Sequence, residues 1–74
     1  MSWEHDAHEK VGEFVVSIYR RPSHFNTEAF KVALAKHGKV YHETIVDEWE
    51  VASEVYDNMI ATLEVVEELT DNKV

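Results

Sequence analysis

The side chains best placed to do chemistry in this chain are carboxylates. Glu43, Asp47, Glu50, Glu54, Asp57, Glu64, Glu68 and Asp71 recur at steps of four, three, four, three, seven, four and three, with Ala61 in the one gap. A mean step of about 3.5 residues sets them roughly 5 Å apart along a helix axis. Phosphates along one strand of a nucleic acid repeat every ~3.4 Å. Like charges three or four residues apart each cost a helix about 0.2–0.5 kcal/mol. Between Glu43 and Asp71 no lysine or arginine relieves them. Such a row either pairs with bases elsewhere or is kept for a basic partner.

Other reactive residues point nowhere specific. His5 and His8 stand three apart beside Glu4, Asp6 and Glu9, and imidazole with carboxylate can hold zinc. The string is not the HExxH arrangement and no fourth ligand is indicated, so plain surface histidines are the preferred reading. His24, His37 and His42 are scattered through predicted turns and are not read as catalysts. Ser17 and Ser53 lie inside predicted helices, and no glycine-rich loop is present to cradle a phosphate. The expectation is therefore a protein without catalytic residues, metal or cofactor.

Composition narrows the class further. The chain has 74 residues, no cysteine and a net charge of −8. That length predicts a single small domain over residues 1–74 with a thin stability margin. Without cysteine there is neither a disulfide framework nor a thiolate metal site, which suits cytoplasm. No apolar run approaches the roughly 20 residues of a membrane span, and the polar, acidic start is not a signal peptide. The charge is uneven: residues 1–39 carry +1 and residues 40–74 carry −9. Such asymmetry speaks to partners rather than to fold.

The elements that must position the carboxylates read as helices. Trp3, Ala7, Val11, Phe14, Val15 and Ile18 share one face at 100° per residue, predicting a helix over about 3–21 that Pro22 ends. Gly12 is its weak point. Ala29, Phe30, Ala33 and Leu34 predict a second helix over about 27–37, with Gly38 as its stop signal. Two glycines and one proline argue against a chain full of tight turns. Thr44 with Asp47 resembles a capping box, and Ile45, Trp49, Ala52, Tyr56, Met59, Leu63 and Val66 form a heptad seam. Together these predict a long amphipathic helix over about 44–70 and an all-α fold of three helices. The alternative is an α+β fold with strands near 13–20 and 39–46, where β-forming residues cluster.

In a three-helix fold neither shorter helix covers the seam, so part of it calls for a homodimer mate. Arg20, Arg21, Lys31, Lys36 and Lys39 are too few to neutralise the ten acids of residues 40–74, although acidity also serves plain solubility. A small, acidic, helix-rich, cysteine-free chain with a bare carboxylate row resembles the DNA-mimic inhibitors encoded by phages and mobile elements. Those proteins occupy restriction enzymes, nucleoid proteins, replication clamps or CRISPR effectors. The resemblance covers the third predicted helix and implies a protein that works in the host cytoplasm. There it would block the DNA- or RNA-contacting surface of a basic, nucleic-acid-binding protein, without touching nucleic acid or membrane itself. A different class of function is a helical interaction module, antitoxin-like or scaffold-like, that offers its apolar face to a partner's groove while the acids only solvate it.

Overall fold

The structure, a computed structural model, describes residues 3–21 and 28–71, without the side chains of Thr70 and Asp71. Four strands precede one helix: β1 (Glu4–Val11), β2 (Phe14–Arg21), β3 (Ala29–Lys36), β4 (Lys39–Val46) and α1 (Trp49–Asp71). The strands form an antiparallel meander in sequence order.

Both glycines make hairpins. Val11 pairs with Phe14 across Gly12–Glu13, and Gly12 has φ 60°, the type II′ pattern with glycine first. Lys36 pairs with Lys39 across His37–Gly38, where φ is 52° and 78°. Two positive φ values define type I′, whose twist matches that of the flanking strands. The edge strands β1 and β4 each take part in a register shift, beside His5/Ala7 and Leu34/Ala35. Bulges of this kind discourage further strand addition.

Strand alternation divides the sheet into two faces. On one lie Val11, Phe14, Val16, Ile18, Phe30, Val32, Leu34 and Val46, which pack against Ala52, Val55, Tyr56, Met59, Ile60 and Leu63 of α1. Val16, Ile18, Phe30 and Val32 are at most 2% exposed, each contributing about 1.5–3 kcal/mol of burial. The Ala52 N–H donates to the Glu48 carbonyl at 3.1 Å, so the helix begins at the end of β4. Near its other end Glu67 lies over Gly12. Among the described residues, the opposite sheet face carries no helix.

The all-α expectation is therefore wrong. Residues 3–21 are a hairpin, not a helix, because Phe14–Tyr19 is apolar on both sheet faces and the glycine at 12 turns the chain. The apolar spacing that looked helical is two strands read end to end. Residues 29–36 are a strand because Phe30, Val32 and Leu34 alternate; the intervening alanines, good helix formers, hid that period of two. The count of turn residues misled as well, since a four-stranded meander needs few tight turns. The third predicted helix exists but starts at Trp49 rather than Thr44. Thr44 caps nothing: its hydroxyl and His42 Nε2 share a 3.0 Å hydrogen bond on β4. The alternative placed strands near 13–20 and 39–46, where β2 and β4 stand, but it kept a helix where β3 is and lacked β1. Pro22, His24 and the proposed cap of the second helix at Asn26–Thr27 lie outside the described residues.

Candidate functional site

Only part of the carboxylate row sits on one element. Glu43 belongs to β4 on the helix-free sheet face, where its Oε1 meets Lys31 Nζ at 3.8 Å. Asp47 is in the bend before α1. Glu50, Glu54, Asp57, Glu64 and Glu68 are exposed on the helix. Asp71 is its last residue, with a side chain outside the described residues. The helix also carries Glu67, which the row omitted and which is half-buried over Gly12. All 23 residues of α1 lack lysine and arginine. Among the described residues, the ion pairs are Arg20–Glu28, Lys31–Glu43, Lys36–Glu13 and His37–Glu13. None of them involves a helix carboxylate.

At 100° per residue, Glu50, Glu54, Asp57, Glu64 and Glu68 fall within an arc of about 80° and span roughly 27 Å of axis. They occupy one flank of the outer side. Beside them, on the same outer side, stand Val51, Val65 and Leu69, which are 39%, 56% and 66% exposed. The exposed half of the helix is thus itself amphipathic.

Trp49 gives the acidic flank an anchor. It packs edge-on against Phe30 at 5.5 Å between ring centroids yet remains 44% exposed. A shallow depression is lined by Trp49, Glu50, Ser53, Glu54, Asp57 and Asn58. A held, half-exposed indole among carboxylates suits an arginine or lysine, which gains from the ring face and from the acids together.

The heptad seam is divided. Ala52 and Leu63 are buried in the core, and Tyr56 and Met59 pack against it. Ile45 is on β4 and 61% exposed, while Val66 is 46% exposed. The sheet, not a second helix, covers this seam, so the comparison of helix lengths that called for a dimer mate no longer applies. Burial, then the Glu9 and Asp57 carboxylates, raises the Tyr56 hydroxyl above its ordinary 10.0.

Sequence reasoning missed a second feature, on the helix-free face. Arg21 lies over the Trp3 ring at 4.8 Å, and Lys31 over both Trp3 and Tyr19 at 4.9 Å. Tyr19 is 5.1 Å from His5, which stacks on His8 at 5.0 Å. This ladder of rings and cations joins β1, β2 and β3. Strand alternation alone would have grouped Tyr19 with Arg21. Among the described residues no three histidine or acidic side chains cluster as metal ligands, and no helix is long and apolar enough to cross a membrane. No protein-family model matches the sequence, and neither a curated protein nor a solved structure matches the chain.

Proposed function

We propose that this protein acts by binding: the acidic flank of α1 docks on the nucleic-acid-contacting surface of a basic protein and blocks it. The observation that carries this reading is a helix with seven carboxylates, no base and no ion pair among the described residues. Repulsion along such a helix lowers stability, and among the described residues no ion pair offsets it. Trp49, held by Phe30 and flanked by Glu50 and Glu54, supplies the kind of aromatic anchor that dominates interface energies. Association of this sort weakens steeply with salt, because exposed charges are screened within about 8–10 Å at ordinary ionic strength.

The exposed aliphatics favour a second reading, an interaction module that uses apolar contacts. With Met59 and Leu63 engaged by the sheet, the residues left for a groove are Val51, Val65 and Leu69. A pull-down from cell lysate at low and high salt separates the two. The proposed function predicts that wild type captures nucleic-acid-binding proteins at low salt and loses them at high salt. It also predicts that the E50K/E54K/D57K variant captures none. A captured set free of nucleic-acid-binding proteins, or one kept by that variant and lost by L69D, would overturn it.

A further inference from the structure

The exposed side of α1 carries a second heptad that the sheet does not use. Val51, Val55, Asn58, Thr62, Val65 and Leu69 follow one another at steps of four, three, four, three and four. At 100° per residue they form one strip about 27 Å long. It is turned roughly 120° round the helix from the side that Ala52, Tyr56, Met59 and Leu63 press on the sheet. A second helix can therefore approach the strip from beside the sheet rather than through it. Val51, Val65 and Leu69 are exposed, as are Asn58 and Thr62, while Val55 packs partly against the core. All six are uncharged, although α1 carries seven carboxylates.

The strip is also symmetric in its chemistry. Val51 and Leu69, Val55 and Val65, and Asn58 and Thr62 lie at equal steps on either side of Ile60. Aliphatic side chains hold both ends, and two small polar ones hold the middle. An antiparallel copy laid on the strip sets Val51 against Leu69, Val55 against Val65 and Asn58 against Thr62, and each contact occurs twice. Such self-complementarity is what a two-fold interface requires. We infer that a second copy of this chain covers the strip, giving a closed, antiparallel helix pair. The Thr62 hydroxyl donates to the Asn58 carbonyl of its own helix at 2.8 Å, so its oxygen is left to accept from the other copy's Asn58 amide. One polar layer of this kind fixes the register of a helix pair. A groove on an unrelated protein would not call for the symmetry. In a chain of net charge −8, this is also the side of α1 on which two copies meet without setting carboxylates face to face. The two-fold axis puts both sheets on one side of the helix pair and both carboxylate rows on the other. The rows repel each other there, so screening by salt strengthens the dimer, the reverse of its effect on the basic partner proposed above. The inference stands apart from that proposal and is tested on the purified chain alone.

Sedimentation equilibrium over a wide concentration range is the test. The average mass is expected to rise with concentration, to level off at twice the chain mass, and to reach that level at lower concentration when salt is added. V65D and L69D alter exposed positions, so their loss of the dimer, with an unchanged circular dichroism spectrum, is not misfolding. E50K/E54K/D57K leaves the strip intact and is expected to keep the dimer. The chain has no cysteine, so orientation can be read by mixing V51C with L69C under oxidising conditions. A disulfide joining one chain of each kind, identified by its mass, is expected. A wild type that remains monomeric at the highest concentration overturns the inference and leaves the strip to a different protein. A dimer that survives V65D and L69D, or one that salt dissociates, overturns it too. So do L69C chains that crosslink to one another ahead of the mixed pair, which would make the helices parallel.

Discussion

The two faces of the sheet are built from the same four strands and do opposite work. On one, Val16, Ile18, Phe30 and Val32 are sealed under α1. On the other, Trp3, Tyr19, Lys31, Arg21, His5 and His8 lie against one another, and Glu43 pairs with Lys31. The outer side of the helix resembles the second case, being charged, partly aliphatic and exposed among the described residues. One interface makes the fold, and the two surfaces left over are where binding is to be sought.

Substitutions at paired positions on β2 break this comparison most sharply. Ile18→Ala, on the sealed face, is expected to cost about 2–5 kcal/mol in denaturant unfolding, a large share of a small domain's stability. Tyr19→Ala, its half-buried neighbour on the open face, should cost clearly less, because it gives up ring and cation contacts of about 0.5–1 kcal/mol each rather than a sealed core position. Equal losses would mean that the open face is as much core as the other.

The turns offer a finer contrast. Both glycines have positive φ, which costs an alanine roughly 1–2 kcal/mol. At Gly12 an added Cβ also meets the Glu67 carboxylate, whereas at Gly38 nothing lies within 4 Å. Gly12→Ala should therefore destabilise more than Gly38→Ala in the same unfolding assay, and the excess should shrink in a Glu67→Ala background.

Glu54→Lys tests the helix flank by itself. It converts the repulsive neighbours Glu50 and Asp57 into attractive ones, so the unfolding free energy should rise by about 0.5–1 kcal/mol at low salt while partner binding falls. A variant that is less stable would mean that Glu54 has a favourable role in the fold.

The smallest effect concerns Tyr56. Its folded value is raised above 10.0, so the stability it contributes is complete below pH 10 and drains away as pH climbs through the folded value. The unfolded chain ionises first. Tyr56→Phe should flatten that alkaline decline in thermal melts and leave neutral pH behaviour close to wild type.

How far the sequence revealed all this differs by element. The run from Trp49 onward was legible because a long period of 3.6 with no glycine or proline has one interpretation. Of the strands, β2 and β4 showed only in the alternative reading near 13–20 and 39–46, and β1 and β3 did not show. Phe14–Tyr19 is apolar on both sides, which erases alternation, and Ala29, Ala33 and Ala35 supply helix formers between the residues that face the core. Helix propensity is a weak local preference that tertiary pairing overrides, and the β1–β2 and β3–β4 hairpins each hung on a single glycine. Of the candidate site, the acids from Glu50 to Glu68 were legible as a row. Glu43 and Asp47 fell away because the helix starts later than Thr44. The exposure of Trp49, the burial of Glu67 and the ladder on the open face depend on contacts between distant residues, which spacing alone does not carry.

The central claim, that the acidic flank stands in for a nucleic acid, is tested most directly by competition. A protein captured on the immobilised chain at low salt is challenged with increasing duplex DNA and, separately, single-stranded RNA. The account predicts that one of these polyanions displaces it in proportion to its own affinity for that protein. Capture that persists when the protein's nucleic-acid site is saturated would contradict it.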